Sequence, residues 1–295
     1  EVILSGRING RRYNLKIVRV EINVSGTECL KLIPVDDLSF KTQKTESGTL
    51  KKKVKVKVID SKGDTIRTFS SEVDTGLVKI YWGLNHDGVE GPSRRERRPG
   101  SNTPGGYSVL PGTYKLVMTY GDHKDSTNMT VHPDPRIEFS MENAKANMAA
   151  MDDYNKIIKS AKDAFDKLSD GKKTIKRVDA ALVNAPDSLK KEIADLGKAL
   201  KDSISNIENI FFDPPNQKGI QRNPNTLSRA LWGARRYIGD SEGAPSQSAQ
   251  ILIDKARREV TDVVSKVNTL FENDFKEYQE KVEAVQYSLF KDFEP

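Results

Sequence analysis

Hydrophobic and polar positions alternate in short runs along the first half of the chain. In "KKKVKVKVID", valines take every second position (Val54, Val56, Val58) and lysines fill the positions between them, which is the period of a half-buried strand. "DSKGD" predicts a turn centred on Gly63, and "TIRTF" begins the partner strand. The same alternation in "GLVKIYWGL" and "LPGTYKLVMTY" predicts two more strands, and "STNMTVHPDP" adds a short last one. Short strands separated by turn signals indicate an antiparallel β-sandwich over residues 38–133.

Residues 1–37 also contain β-branched runs. In "KIVRVEINV" the alternation predicts a strand that is buried on one face only. We assign residues 1–37 to N-terminal strands, which belong either to an outer pair of the following domain or to the end of a preceding one.

The period of the pattern changes after Pro135. Ser140 is a suitable N-cap, and apolar residues then recur every three or four positions in one phase to Leu182, so that a single helix is predicted over about 140–184, through Gly171. Replacing Gly171 with alanine is therefore expected to be neutral or stabilising. Further helices are predicted from Asp187, from Asn223–Pro224 and over about 247–286. Together they indicate an antiparallel helical bundle over residues 134–295.

Composition agrees with two domains of this kind. The chain has 295 residues, of which 36% are hydrophobic and 31% charged, and its formal net charge is +6. That low apolar fraction suits a small sandwich and an amphipathic bundle better than one large core. The single cysteine, Cys29, excludes an intramolecular disulfide. No apolar run approaches the roughly 20 residues of a transmembrane helix.

The main charge feature is "RRERR" in a loop rich in glycine and proline. Arg94, Arg95, Arg97 and Arg98 are candidate binding residues, because the arginine fork binds carboxylate or phosphate through two hydrogen bonds. They would dock to an acidic partner protein, to lipopolysaccharide phosphate or to an anionic polysaccharide. The alternative is a solvated loop held by carboxylates of the same chain. The absence of interleaved aromatic residues argues against nucleic acid.

The other candidate residues do not form a catalytic constellation. His86 stands next to Asp87, but the sequence supplies no further ligands at suitable spacing, so we predict neither a metal site nor a cofactor. Neighbouring carboxylates such as Asp152 and Asp153 point apart on a helix and do not flank a cleft. Trp82 is expected in the sandwich core, and Trp232 is expected to pack into the edge of the bundle. We therefore predict no catalytic residue in this chain.

Several strings in combination resemble a known family. "TGLVKIYWGLNHDG", an Arg/Pro-rich loop, "VLPGTYKLVMTYGD" and "VHPDPR" follow one another in the order seen in the C-terminal region of large exported proteins of Bacteroidetes-type bacteria. Those proteins carry BNR-repeat or sortilin (VPS10)-like β-propellers and are often labelled glycosyl hydrolases. The chain is similar to the family in "VKVIDSKGDTIRTF", in "KGIQRNPNTLSRAL" and "GAPSQSA", and at Gly76, Leu77, Trp82, Leu84, Pro111, Gly112 and Tyr114. The similarity covers most of residues 40–285, and "WGLNHDG" departs from the family's usual Asp/Arg pattern after the tryptophan.

The resemblance implies an Ig-like domain, similar to that of the flagellar hook-capping protein, followed by a helical domain. Residues 1–37 would then be the tail of an upstream propeller, and any hydrolase site would lie in that propeller. The implied function is a non-catalytic structural or interaction module that docks to the propeller or to a cell-envelope protein. The alternative is an accessory region of a sialidase-like enzyme that aids polysaccharide binding. The implied location is periplasmic, outer-membrane-associated or extracellular, with the export signal upstream of this chain.

Overall fold

The computed structural model describes residues 2–8, 11–17, 53–73, 78–136, 138–182, 187–214, 223–239 and 243–284. Antiparallel sheets come first and a helical region follows. The chain separates into two compact units: Glu1–Val89 with Arg97–Met148, called here the β unit, and Glu90–Glu96 with Ala149–Pro295, called here the helical unit. The boundary predicted between residues 133 and 134 stays a prediction.

The β unit contains eight described strands. A hairpin of β1 (Val2–Ile8) and β2 (Arg11–Ile17) opens it. Most of the strand predicted in "KIVRVEINV" lies outside the described residues. The other strands are β3 (Lys53–Ile59), β4 (Thr65–Glu72), β5 (Asn85–Asp87), β6 (Gly105–Ser108), β7 (Gly112–Tyr120) and β8 (His123–Val131). They form a four-stranded antiparallel sheet in the order β4-β3-β7-β8 and a separate β5-β6 pair.

Local chemistry explains the β3–β4 hairpin. The Asp60 carboxylate accepts hydrogen bonds from the backbone N–H groups of Lys62 and Asp64, both at 2.9 Å, and Gly63 has φ +91°. Glycine adopts that conformation without steric cost, so the turn predicted from "DSKGD" is confirmed. Val56 and Val58 are buried and the lysines beside them are exposed, as the alternation predicts.

Residues 78–84 differ from the prediction. No strand includes them, although burial alternates there as expected: Trp82 and Leu84 are buried, and Tyr81, which precedes Trp82, is exposed. The hydrophobic pattern reports only which side chains face the core. It does not report whether the backbone has a neighbouring strand to pair with, and here the indole Nε1 of Trp82 donates to the carbonyl of Asn85 at 2.9 Å.

The described helices are α1 (Met141–Ala181), α2 (Asp187–Phe211), α3 (Leu227–Gly239), α4 (Gln247–Leu270) and α5 (Lys276–Glu283). All of them belong to the helical unit except the part of α1 up to Met148, which is assigned to the β unit. Helix α1 runs through Gly171 as predicted, and the Ser140 hydroxyl accepts from the N–H of Asn143 at 3.3 Å, which confirms the N-cap. Residues Phe271–Phe275 form a π-helical turn between α4 and α5.

The predicted start of α3 is wrong by one turn. The helix begins at Leu227, because the Asn223 side chain closes a turn of its own by accepting from the N–H of Asn225 at 2.9 Å. Leu227, Leu231, Ala234 and Ile238 are buried, and α3 packs along α4.

Candidate functional site

The four predicted binding arginines do not act as one group. Arg94 lies in the segment that belongs to the helical unit, where its Nη1 donates to the carbonyl of Asp213 at 2.7 Å and its guanidinium lies 5.2 Å from the centre of the Phe212 ring. A hydrogen bond and a cation–π contact together hold this side chain on the end of α2.

Glu96 holds the same segment at a second point. Its carboxylate accepts from the Lys173 ammonium of α1 at 2.6 Å. This ammonium lowers the pKa of Glu96, and the carboxylate in turn raises the pKa of Lys173. Both groups are exposed, so the pair contributes position more than stability. The alternative prediction was that carboxylates of the same chain hold the arginines of this loop. The pair found here has the opposite polarity, because the loop supplies the carboxylate of Glu96 and α1 supplies the cation.

The remaining arginines fall into two kinds. Arg97 folds back on its own loop, with Nε on the Ser101 hydroxyl and Nη2 on the Ser101 carbonyl, both at 2.7 Å. The side chains of Arg95 and Arg98 are exposed. The binding role predicted for the four arginines stays a prediction.

Sequence reasoning missed the interactions of Arg67. This residue shares the inward face of β4 with Phe69 and is 9% exposed. Its guanidinium donates to the Asp87 carboxylate at 2.9 Å and to the carbonyls of Thr103 and Pro104 at 3.0 and 2.6 Å. The charge is thus paired and hydrogen-bonded, as a buried charge must be. The Arg67 guanidinium thereby positions β5 and the chain before β6. It also gives Asp87 a structural role as its partner.

His86 has a packing contact. Its ring lies 4.5 Å from that of Tyr107. Within the described ranges, no group of three His, Cys, Asp or Glu side chains is arranged to hold a metal ion.

The main feature that the sequence analysis missed lies on α3. Trp232 is 62% exposed and Tyr237 52%, so the prediction that Trp232 packs into the bundle edge is wrong. The guanidinium carbon of Arg236 lies 5.4 Å from the centre of the Trp232 ring. We call Trp232, Gly233, Arg235, Arg236 and Tyr237 the α3 face. The spacing of Leu227, Leu231, Ala234 and Ile238 was the available signal, since it places Trp232 outside the buried stripe.

A second surface feature is an open groove of about 440 Å³ between α1 and the π-helical turn. Three aspartates and Lys167 line one side, and the rings of Phe271 and Phe275, stacked at 4.7 Å, line the other. The ammonium of Lys167 lies 4.8 Å from the centre of the Phe271 ring. A cation of the chain itself therefore already covers this ring.

A comparison with family models, curated proteins and solved structures finds no match to this chain. Among the helices described, none combines the length and the apolar composition that a membrane-crossing segment requires.

Proposed function

We propose that the chain is a non-catalytic interaction module of an exported propeller protein. In this proposal the β unit is an Ig-like sandwich and the helical unit an antiparallel bundle. The module docks to the upstream propeller or to a cell-envelope protein, in the periplasm, at the outer membrane or outside the cell.

Two aromatic contacts in the β unit support the Ig-like assignment. Trp82 is 2% exposed and packs edge-on against Tyr114, with ring centres 5.7 Å apart. The Tyr114 hydroxyl donates to the carbonyl of Leu110, four residues upstream, at 2.6 Å. A buried tryptophan and a tyrosine that bonds back to the preceding backbone are both recurrent features of Ig-like sandwiches.

The observation that carries the docking function is the α3 face. Tryptophan, tyrosine and arginine are the residue types that dominate binding energy in protein interfaces. Here they stand together on one helix, with two large aromatic side chains more than half exposed. An exposed group of this composition is typical of an interaction site.

Photo-crosslinking in intact cells tests the proposal. A photoreactive phenylalanine derivative replaces Tyr237 in the full-length protein, and a parallel strain carries it at Tyr81, which is equally exposed at 54% but lies in the β unit. We expect a discrete adduct from position 237 that disappears when Trp232→Ala is added. Absence of an adduct at 237, or the same adduct from both positions, would refute docking through α3.

A further inference from the structure

We infer that the α3 face binds an extended acidic peptide segment that carries an apolar anchor residue. This inference rests on the proposed docking function and specifies the chemistry of the partner. It follows from the charge, the aromatic surface and the shape of this helix.

The charge of α3 indicates the charge of its partner. The thirteen residues of α3 include three arginines and no aspartate or glutamate. Arg229 is paired with Asp213 at 2.8 Å, and Arg235 and Arg236 lie on the exposed side of the helix. Arginine clusters recognise acidic peptide motifs in this way, because the guanidinium fork matches a carboxylate.

The contact between Arg236 and Trp232 orients that charge. A guanidinium group that stacks on an indole ring is held at one position, so that less rotamer freedom is lost when a carboxylate binds. The exposed indole and the phenol ring of Tyr237 supply apolar surface for an anchor residue beside the charge.

Gly233 gives the face its shape. A methyl group built at this position meets no atom within 4 Å, so that the helix surface is open there. Helical neighbours at three and four positions place Arg236 and Tyr237 at the margin of this opening, and Trp232 adjoins it in the sequence. The open helix surface at Gly233 is therefore flanked by aromatic and cationic side chains.

The dimensions favour a peptide segment over a folded surface. A helix of thirteen residues is about 20 Å long, which matches about six residues of extended chain. A standard interface between folded proteins buries about 800 Å² on each partner, which is more than the exposed strip of one short helix supplies.

Peptide display tests the inference without a known partner. A random dodecapeptide library is selected on the full chain and counter-selected on Gly233→Gln, which fills the opening and improves helix propensity, so that folding is preserved. We expect the enriched peptides to combine several Asp or Glu residues with an aromatic or aliphatic residue. Their binding should weaken as salt rises, because screening reduces the charge attraction.

The Kd values of synthetic copies of the enriched peptides then distinguish the effect of charge on the α3 face from the effect of the net charge of the chain. The double change Arg235→Glu and Arg236→Glu should raise the Kd at least about tenfold. The same change at Lys176 and Arg177, a basic pair exposed on α1, should leave the Kd within about twofold. Equal loss in both variants would mean that net charge alone drives binding and would overturn the inference.

Two other results overturn it while the proposed function survives. The first is a set of enriched peptides without acidic residues. The second is a selection that enriches no peptide, combined with binding of the chain to immobilised polygalacturonate that is lost in Gly233→Gln. That result would assign the α3 face to an anionic polysaccharide. Absence of any position-237 adduct in cells that carry the otherwise unchanged protein would instead refute the docking function itself. The two failures are therefore distinguishable.

Discussion

Gly171 is the position where the structure reverses an expectation from helix propensity. It is buried in the middle of α1, and a β-carbon added there would lie 2.9 Å from Cζ of Phe271 and 3.3 Å from Cε2 of Phe275. Replacing an interior helical glycine with alanine gains up to about 1 kcal/mol. Forcing an extra methyl group into a packed contact costs about 1–3 kcal/mol. We therefore expect Gly171→Ala to lower the free energy of unfolding of the helical unit by about 1 kcal/mol.

Gly233→Ala is the matched control. Both glycines lie inside helices of the same unit, but the site at 233 is open, so that only the propensity gain applies. The difference between the two variants isolates the packing cost and should be about 1–3 kcal/mol. Denaturant unfolding followed by far-ultraviolet circular dichroism measures both values. Each kcal/mol corresponds to about 2–4 °C in Tm for a domain of this size.

A second substitution tests whether the aromatic ring is the cause. Phe271→Leu removes the ring atom nearest to position 171, so that the cost of Gly171→Ala should shrink in that background. The two changes should therefore be non-additive by at least about 0.5 kcal/mol. A stabilising Gly171→Ala, or strict additivity with Phe271→Leu, would show that the contact relaxes freely and would refute the reasoning.

Four further predictions concern buried polar groups and the arginine loop. Arg67→Ala should destabilise the β unit by about 2–3 kcal/mol, because it removes charge-assisted hydrogen bonds to the Asp87 carboxylate and to the carbonyls of Thr103 and Pro104. A thermal shift no larger than that of a surface Arg→Ala would contradict this. Burial raises the pKa of both Tyr154 and Tyr278 to about 12, above the unfolded value of about 10. Their contribution to the free energy of unfolding is thus complete below pH ~10 and is lost as the pH rises towards ~12. Alkaline titration should therefore unfold the helical unit in that window, and a Tyr→Phe double variant should shift the transition. Tyr154→Phe should cost about 1 kcal/mol since the hydroxyl bonds to a carbonyl at 2.8 Å, whereas Tyr278→Phe should be neutral or stabilising because its hydroxyl has no partner among the described atoms. Arg94→Ser should increase proteolytic cleavage in the loop, and Arg95→Ser, which serves as its control, should leave cleavage unchanged.

The sequence predicts well what depends on local periodicity. Alternation along β3 identifies its buried valines, and the continuous phase of α1 carries the helix through Gly171. The turn at Gly63 follows from residue type alone. Each of these features is set by neighbours within a few positions, which a single sequence contains.

Features set by distant neighbours could not be predicted. Arg67 is interpretable only once β4 and the chain near Pro104 are adjacent, although 37 positions separate the two residues. The close approach at Gly171 requires the π-helical turn of a helix about a hundred positions away. The exposure of Trp232 is a different case, because the local spacing of the buried residues of α3 already places it outside their stripe, and the prediction of burial followed hydrophobicity alone.

The two tryptophans of the chain occupy opposite environments, and each compact unit carries one of them. The indole of Trp82 is enclosed among core side chains, whereas that of Trp232 is largely in water. Their intrinsic fluorescence should therefore separate into a short-wavelength component that iodide does not reach and a long-wavelength component that iodide quenches. A single fluorescence sample then reports two processes. Unfolding of the β unit changes the first component, and binding of a ligand to α3 protects the second component from iodide quenching.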